Sequence, residues 1–160
     1  MSTNFYMITK NKEMVLKYAP YSYELTDEPY FGYEIHVAKT SCGWLPLFQG
    51  HADGINSVAE YKEAYNTGWF RIFDEYNTEY NWDAFEDRVL KFNGGIHGVQ
   101  KPEKIEQDKN LMFYDKSLPD YQPISHIRGS SQSYKYMYWE TYNDYFTDPD
   151  GYEFNSREFS

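Results

Sequence analysis

His36, Lys39, Thr40, Ser41 and Trp44 crowd into nine residues of the chain. A cation, two hydroxyls and turn amides can hold a phosphate or carboxylate, and an indole can stack on a base. That grouping describes a pocket for a nucleotide-like small molecule. The ordinary reading of the same residues is that Lys39 and Ser41 serve a turn, Trp44 belongs to the core and His36 is a hydrogen-bonded strand residue. Cys42 beside His36 also raises nucleophilic chemistry, but one Cys near one His in sequence lacks the orienting third group such sites use. The other histidines, His51, His97 and His126, are scattered among Gly- and Ser-containing stretches without partners at a recognisable spacing. No Gly-x-Ser-x-Gly elbow, phosphate-binding Walker loop or His-Glu-x-x-His helix occurs. The expectation is a protein without enzymatic activity and without a bound cofactor.

Two acidic stretches carry the second candidate chemistry. Residues 74–87 hold six acids and no Lys or Arg, and residues 138–155 hold five acids and again no base. Asp74, Glu75, Asp83, Glu86 and Asp87 in the first, with Asp144, Asp148 and Asp150 in the second, are the candidate contacts for a basic partner protein. Facing the same way, they would resemble the charge track of a nucleic-acid strand. Asp148, Asp150 and Glu153 superficially suggest a calcium loop, but that loop needs Gly at its sixth position and Gly151 stands at the fourth. The stretch Asp148-Pro149-Asp150-Gly151 reads more simply as a tight hairpin turn, so no metal is expected.

The elements that must position these residues follow from periodicity. Residues 3–9 are strand formers without Gly or Pro, whereas 17–30, with Pro20 and Pro29, reads as an irregular connection. From Tyr33 to Lys39 apolar and polar residues alternate. Thr40 to Gly43 then supplies turn residues and 44–48 resumes an apolar run, which together predict a β-hairpin with Pro46 at an edge or an end. Ser57-Val58-Ala59-Glu60 fits a capping box and opens a helix over 58–66, closed by Gly68. Residues 69–73 predict a strand. Asn81 caps a second helix in which Trp82, Phe85, Val89 and Phe92 recur at helical spacing until Gly94-Gly95. Residues 134–139 alternate as a strand should, and the segments 145–147 and 152–154 flank the Asp148–Gly151 turn. Between 94 and 130 only Leu111 to Tyr114 resembles a strand, so a long irregular segment lies there. The fold expected is α+β, a mixed or antiparallel sheet with two short helices packed on it, in a single domain over 1–160.

Composition narrows the partners. The formal charge is −10, which repels nucleic-acid backbones and anionic membranes, so direct DNA or RNA binding is not expected. Aromatic residues make up 21% of the chain, 18 of them Tyr, which suits sheets and interfaces and is compatible with a homo-oligomer as well as with an aromatic core. A single cysteine excludes an internal disulfide. No stretch approaches the roughly 20 apolar residues that span a bilayer. Cytoplasmic residence is therefore expected.

Four short blocks carry a family resemblance. They are Glu34-Ile35-His36-Val37-Ala38-Lys39-Thr40-Ser41-Cys42-Gly43-Trp44, Ile72-Phe73-Asp74-Glu75-Tyr76, Asp148-Pro149-Asp150-Gly151-Tyr152-Glu153-Phe154, and the terminal Glu158-Phe159-Ser160. This order resembles a group of small accessory proteins of tailed bacteriophages with a His-x-Gly-Lys-Ser-Ser-x-Gly-Trp core, a later Asp-Glu-Tyr, and a final Asp-x-x-Gly-Tyr-x-Phe. Ala38 stands where that pattern has Gly, Thr40 where it has Ser, and the N-terminal Cys-x-x-Cys of some relatives is missing, so no metal site is carried over. The group has no settled activity. The resemblance implies a bacteriophage accessory protein in the cytoplasm of a bacterial host. The acidic and aromatic composition, read in that setting, leads to the expectation of a protein that binds and inhibits a host factor, such as a defence or nucleic-acid-handling protein, through that surface. Two other roles stand beside it: sequestration of a nucleotide-like molecule at the 36–44 hairpin, and a minor virion or assembly protein.

Overall fold

A computed structural model describes residues 2–27, 31–41, 45–91 and 144–159. The first strand, β1 (Ser2–Thr9), lies near the centre of one mixed sheet. It pairs antiparallel with β3 (Gly32–Ser41) on one side and β5 (Arg71–Asp74) on the other, and β5 carries the short β6 (Glu79–Tyr80). Along the far side of β3, β2 (Tyr23–Thr26) pairs with its first half and β4 (Leu47–Gln49) with its second. The sheet continues from β4 to β8 (Glu153–Asn155) through a parallel pairing and ends at β7 (Tyr145–Thr147). The α+β class expected from the sequence is the one observed.

Three helical segments accompany the sheet among the described residues. The expected helix over 58–66 is α2 (Val58–Asn66), with Ser57 Oγ accepting from the Glu60 amide at 3.1 Å and Gly68 in the left-handed region at φ 82°. Asn81 caps α3 (Trp82–Phe85) as expected, its Oδ1 accepting from the Ala84 amide at 2.8 Å. After one α-turn the helix widens into a π-turn (Glu86–Leu90), closed by Lys91 N donating to Glu86 O at 3.0 Å, which puts both Val89 and Leu90 inside. A third segment, α1 (Lys12–Tyr18), was not expected; Asn11 caps it and Val15 and Tyr18 are its buried residues. The segment 17–30 is likewise more regular than its composition implies, since the last turn of α1 and β2 fall in it.

Directly opposed residues of paired strands project to the same face. Met7, Ile35 and Ile72 are opposed in this way and form the core with Val15, Val58, Tyr61, Trp82 and Phe85 from the helical side. The opposite face carries the rows His36–Tyr6–Phe73 and Glu24–Glu34–Ile8–Arg71.

The hairpin around Lys39 is shifted from its expected form. Thr40 and Ser41 continue β3, paired with Thr3 and Ser2, so they are strand residues and not turn residues. Ala38 and Lys39 pair with Phe48 and Leu47, and Pro46 sits just before β4 as its missing amide donor requires. The second expected hairpin is present: Asp148 N donates to Tyr152 O at 2.9 Å, and Gly151 takes φ 94° between β7 and β8. Residues 42–44, the 94–130 segment with Leu111–Tyr114, and the expected strand at 134–139 lie outside the described residues.

Candidate functional site

On the face away from the helices, a cavity of about 130 Å³ is lined by Tyr6, Ser22, Glu24, Glu34, His36, Glu158 and Phe159. Four segments build it. β1 gives Tyr6, β3 gives Glu34 and His36, Ser22 and Glu24 come from the start of β2 and the residue before it, and the C-terminal segment gives Glu158 and Phe159. Glu24 and Glu34 oppose each other in register, a pairing that costs stability for like charges. Burial raises the Glu34 carboxyl above its usual range and Glu24 raises it further. The Tyr6 phenol is raised by burial, then by Glu34, Glu75 and Glu24. The cavity is therefore anionic, with aromatic walls in Tyr6, His36 and Phe159; the His36 and Phe159 rings meet edge-on at 4.8 Å.

Behind it lies a polar network that fixes the half-buried His36 and the buried His51. Gln49 Nε2 donates to the carbonyls of Gly50, Asn155 and Arg157 at 3.0 to 3.1 Å, which leaves Oε1 to accept from His36 Nδ1 at 3.3 Å and from the Phe159 amide at 3.2 Å. His36 Nε2 faces the Asn4 side-chain amide at 2.9 Å. His51 is 1% exposed, and its Nε2 donates to the His36 carbonyl at 2.9 Å, so its Nδ1 accepts from Ser22 Oγ. Burial lowers both imidazoles to about 4, so both are neutral at pH 7.

A serine on an imidazole is the beginning of a nucleophile and its base. Here the imidazole has little pull on a proton at neutral pH, and its other nitrogen is held by a main-chain carbonyl instead of a carboxylate. Ser22 and His51 work as a strut joining the 19–22 turn, β3 and the 50–55 loop. The sequence reading left His51 without a partner, and no local pattern reveals one, because Ser22 lies 29 residues away.

Of the grouping expected at 36–44, the described residues His36, Lys39, Thr40 and Ser41 do not line a common cavity. His36 points into the carboxylate-lined cavity, where a phosphate would be repelled. Thr40 is 1% exposed and its Oγ1 accepts from Arg88 at 3.3 Å. Lys39 and Ser41 are half-buried strand residues, and Trp44 lies outside the described residues.

The eight acids singled out in the sequence divide in two. Asp74 and Asp148 are buried and serve the fold. Asp74 accepts from the amides of Tyr76 and Thr78 at 2.9 Å and from the Tyr80 hydroxyl at 2.8 Å. Asp148 accepts from the amides of Asp150 and Tyr152 in its own turn and, at 2.9 Å, from the Val58 amide at the start of α2. Neither is available to a partner. Glu75, Asp83, Asp87 and Asp150 are exposed and Glu86 and Asp144 half-buried. Glu75 accepts from the Asn4 amide at 2.7 Å, Asp144 pairs with Arg157 at 3.0 Å, and Lys91 sits 3.1 Å from Asp87 and 3.8 Å from Glu86.

Acids of both stretches act on Tyr152. Its phenol is raised by burial first and then by Asp148, Glu86 and Asp150, one from the segment after α3 and two from the β7–β8 turn. Glu86, Asp148 and Asp150 therefore all act on the Tyr152 phenol, and Asp87 shares Lys91 with Glu86.

Among the described residues no three His, Cys, Asp or Glu side chains converge closely enough to hold a metal ion. No helix among them is long and apolar enough to cross a membrane. Comparison with protein-family models, with curated proteins and with solved structures finds no match to this chain.

Proposed function

We propose that this chain is a non-enzymatic binding protein that docks a basic partner protein against its acidic, tyrosine-bearing surface. In the setting implied by the resemblance to bacteriophage accessory proteins, the partner is a host defence or nucleic-acid-handling protein, and docking inhibits it in the host cytoplasm. The observation that carries the reading is that Glu86 and Asp150, one from each acidic stretch, both raise the Tyr152 phenol after burial and Asp148, so acids of the two stretches act on one surface tyrosine. Acids gathered this way steer a basic surface into contact and exclude acidic competitors, while a phenol at their centre supplies contact area with little rotamer entropy to lose. The anionic cavity beside His36 adds a second feature of the same sign. Three carboxylates and the rings of Tyr6 and Phe159 suit a lysine or arginine side chain, by ion pairing and by cation–π contact.

The test is a tagged pull-down from bacterial host lysate at low and high salt, with wild type and an E86K/D87K/D150K variant side by side. A stoichiometric basic protein that wild type retains at low salt, releases at high salt, and that the folded variant fails to capture supports the reading. Equal capture by the variant contradicts it.

A further inference from the structure

The face of the sheet away from the helices holds a second, larger cavity of about 480 Å³ near the β1–β5 end. Its character is opposite to that of the carboxylate-lined one. Ile8 and Phe73 form apolar lining, Phe31 and Trp69 stand beside it, and its charged lining consists of Lys10 and Arg71. Among the described residues no carboxylate lines it, although the chain carries 25 acids against 15 bases. Phe31 is 62% exposed and Trp69 56% exposed. Two large rings left that open, on separate segments around one concavity, are not accounted for by packing.

The charges at its rim differ in availability. Arg71 is engaged by Glu79 through two contacts, Nη2 to Oε1 at 2.7 Å and Nε to Oε2 at 2.9 Å, and its guanidinium lies 5.1 Å from the Phe73 ring centre. Its charge is largely balanced there. Lys10 makes no ion pair among the described residues, so it gives the cavity its net positive sign.

We propose that this cavity binds a small aromatic anion of the nucleoside monophosphate class, with the base against Trp69 and Phe31 and the phosphate at Lys10. The volume falls within the roughly 300–1,000 Å³ of small-ligand pockets. Base stacking on exposed aromatic rings is a general mode of nucleotide recognition that tolerates any base. A single phosphate meets the local field of Lys10, whereas a long strand meets the −10 field of the whole protein, which limits the ligand to a mononucleotide. The site is separate from the acidic face at Tyr152 and stands or falls independently of it.

The experiment is calorimetric titration of the full chain with AMP, GMP, CMP and UMP, with adenosine and inorganic phosphate as part-ligands. Saturable binding of at least one mononucleotide is expected, weakened about tenfold or more by W69A and by K10E, with each part-ligand at least tenfold weaker than its parent. Both substituted residues are exposed, and circular dichroism checks that the variants fold. Absence of saturable binding by all four nucleotides overturns the proposal, as does unchanged affinity in W69A and K10E. Phosphate binding as tightly as AMP overturns the stacking role, and adenosine binding as tightly overturns the role of Lys10. The E86K/D87K/D150K variant binds the nucleotide no more weakly than wild type, which separates this outcome from failure of the acidic-face reading.

Discussion

Asp148 and Asp150 stand two residues apart in one turn and do different work. Asp148 closes the turn with one oxygen and caps α2 with the other, so D148A leaves the Val58, Asp150 and Tyr152 amides without their acceptor. Its cost is about 2 kcal/mol, in the range of a lost cap with buried donors left behind, whereas D150A costs about nothing. Urea denaturation of the two variants checks this contrast. The histidines of the polar network make a second prediction at the same scale. His36 and His51 are lowered from an ordinary 6.5 to about 4, chiefly by burial, so between those values the unfolded chain binds more protons than the folded one. Their contribution to stability is complete above the unfolded value and is lost as pH falls toward 4. Linkage gives about 2 kcal/mol per histidine between pH 7 and pH 5, offset in part by Glu34, whose raised carboxyl acts in the opposite direction. Urea midpoints at the two pH values measure the slope, and H51Q flattens it by about half; an undiminished slope in H51Q contradicts the assignment.

The first half of helix α2 is held by contacts of different range. Ser57 and Glu60 form the local box, Ser57 Oγ lying 3.0 Å from Glu60 Oε1, while Tyr61 reaches the sheet by donating to Gln49 O at 2.6 Å. S57A removes the local cap and costs about 1 kcal/mol by thermal or urea unfolding, with no change in the β-sheet signal. What could be read from the sequence follows the same division between local and distant. The box, the 3–4 spacing of Trp82, Phe85 and Val89, the alternation of 33–39 and the Asp148–Gly151 turn are short-range signals, and each produced its element. α1 was missed because two turns with only Val15 and Tyr18 inside leave too short a period to detect. β2 was missed because its burial does not alternate cleanly and its Glu24 faces Glu34. The cavity beside His36 was half legible: His36 was singled out, but Ser22, Glu24 and Glu158 reach it only through strand pairing and the path of the C-terminal segment. Sequence alone does not place Asp74 and Asp148 inside, because a carboxylate's use as a turn acceptor depends on which amides the backbone turns toward it.

At the scale of the molecule, among the described residues, helices lie on one face of the sheet and two cavities of opposite sign lie on the other. Net charge alone favours basic partners without saying where they would dock; the proposed place is Tyr152, on which acids of both stretches act. The comparison that decides this claim is capture from host lysate at low and high salt by wild type and by E86K/D87K/D150K, with matched unfolding curves. The account predicts a stoichiometric, salt-released basic protein on wild type alone, at equal stability of the two chains. Capture of the same protein by both, or retention that is indifferent to salt, would contradict it.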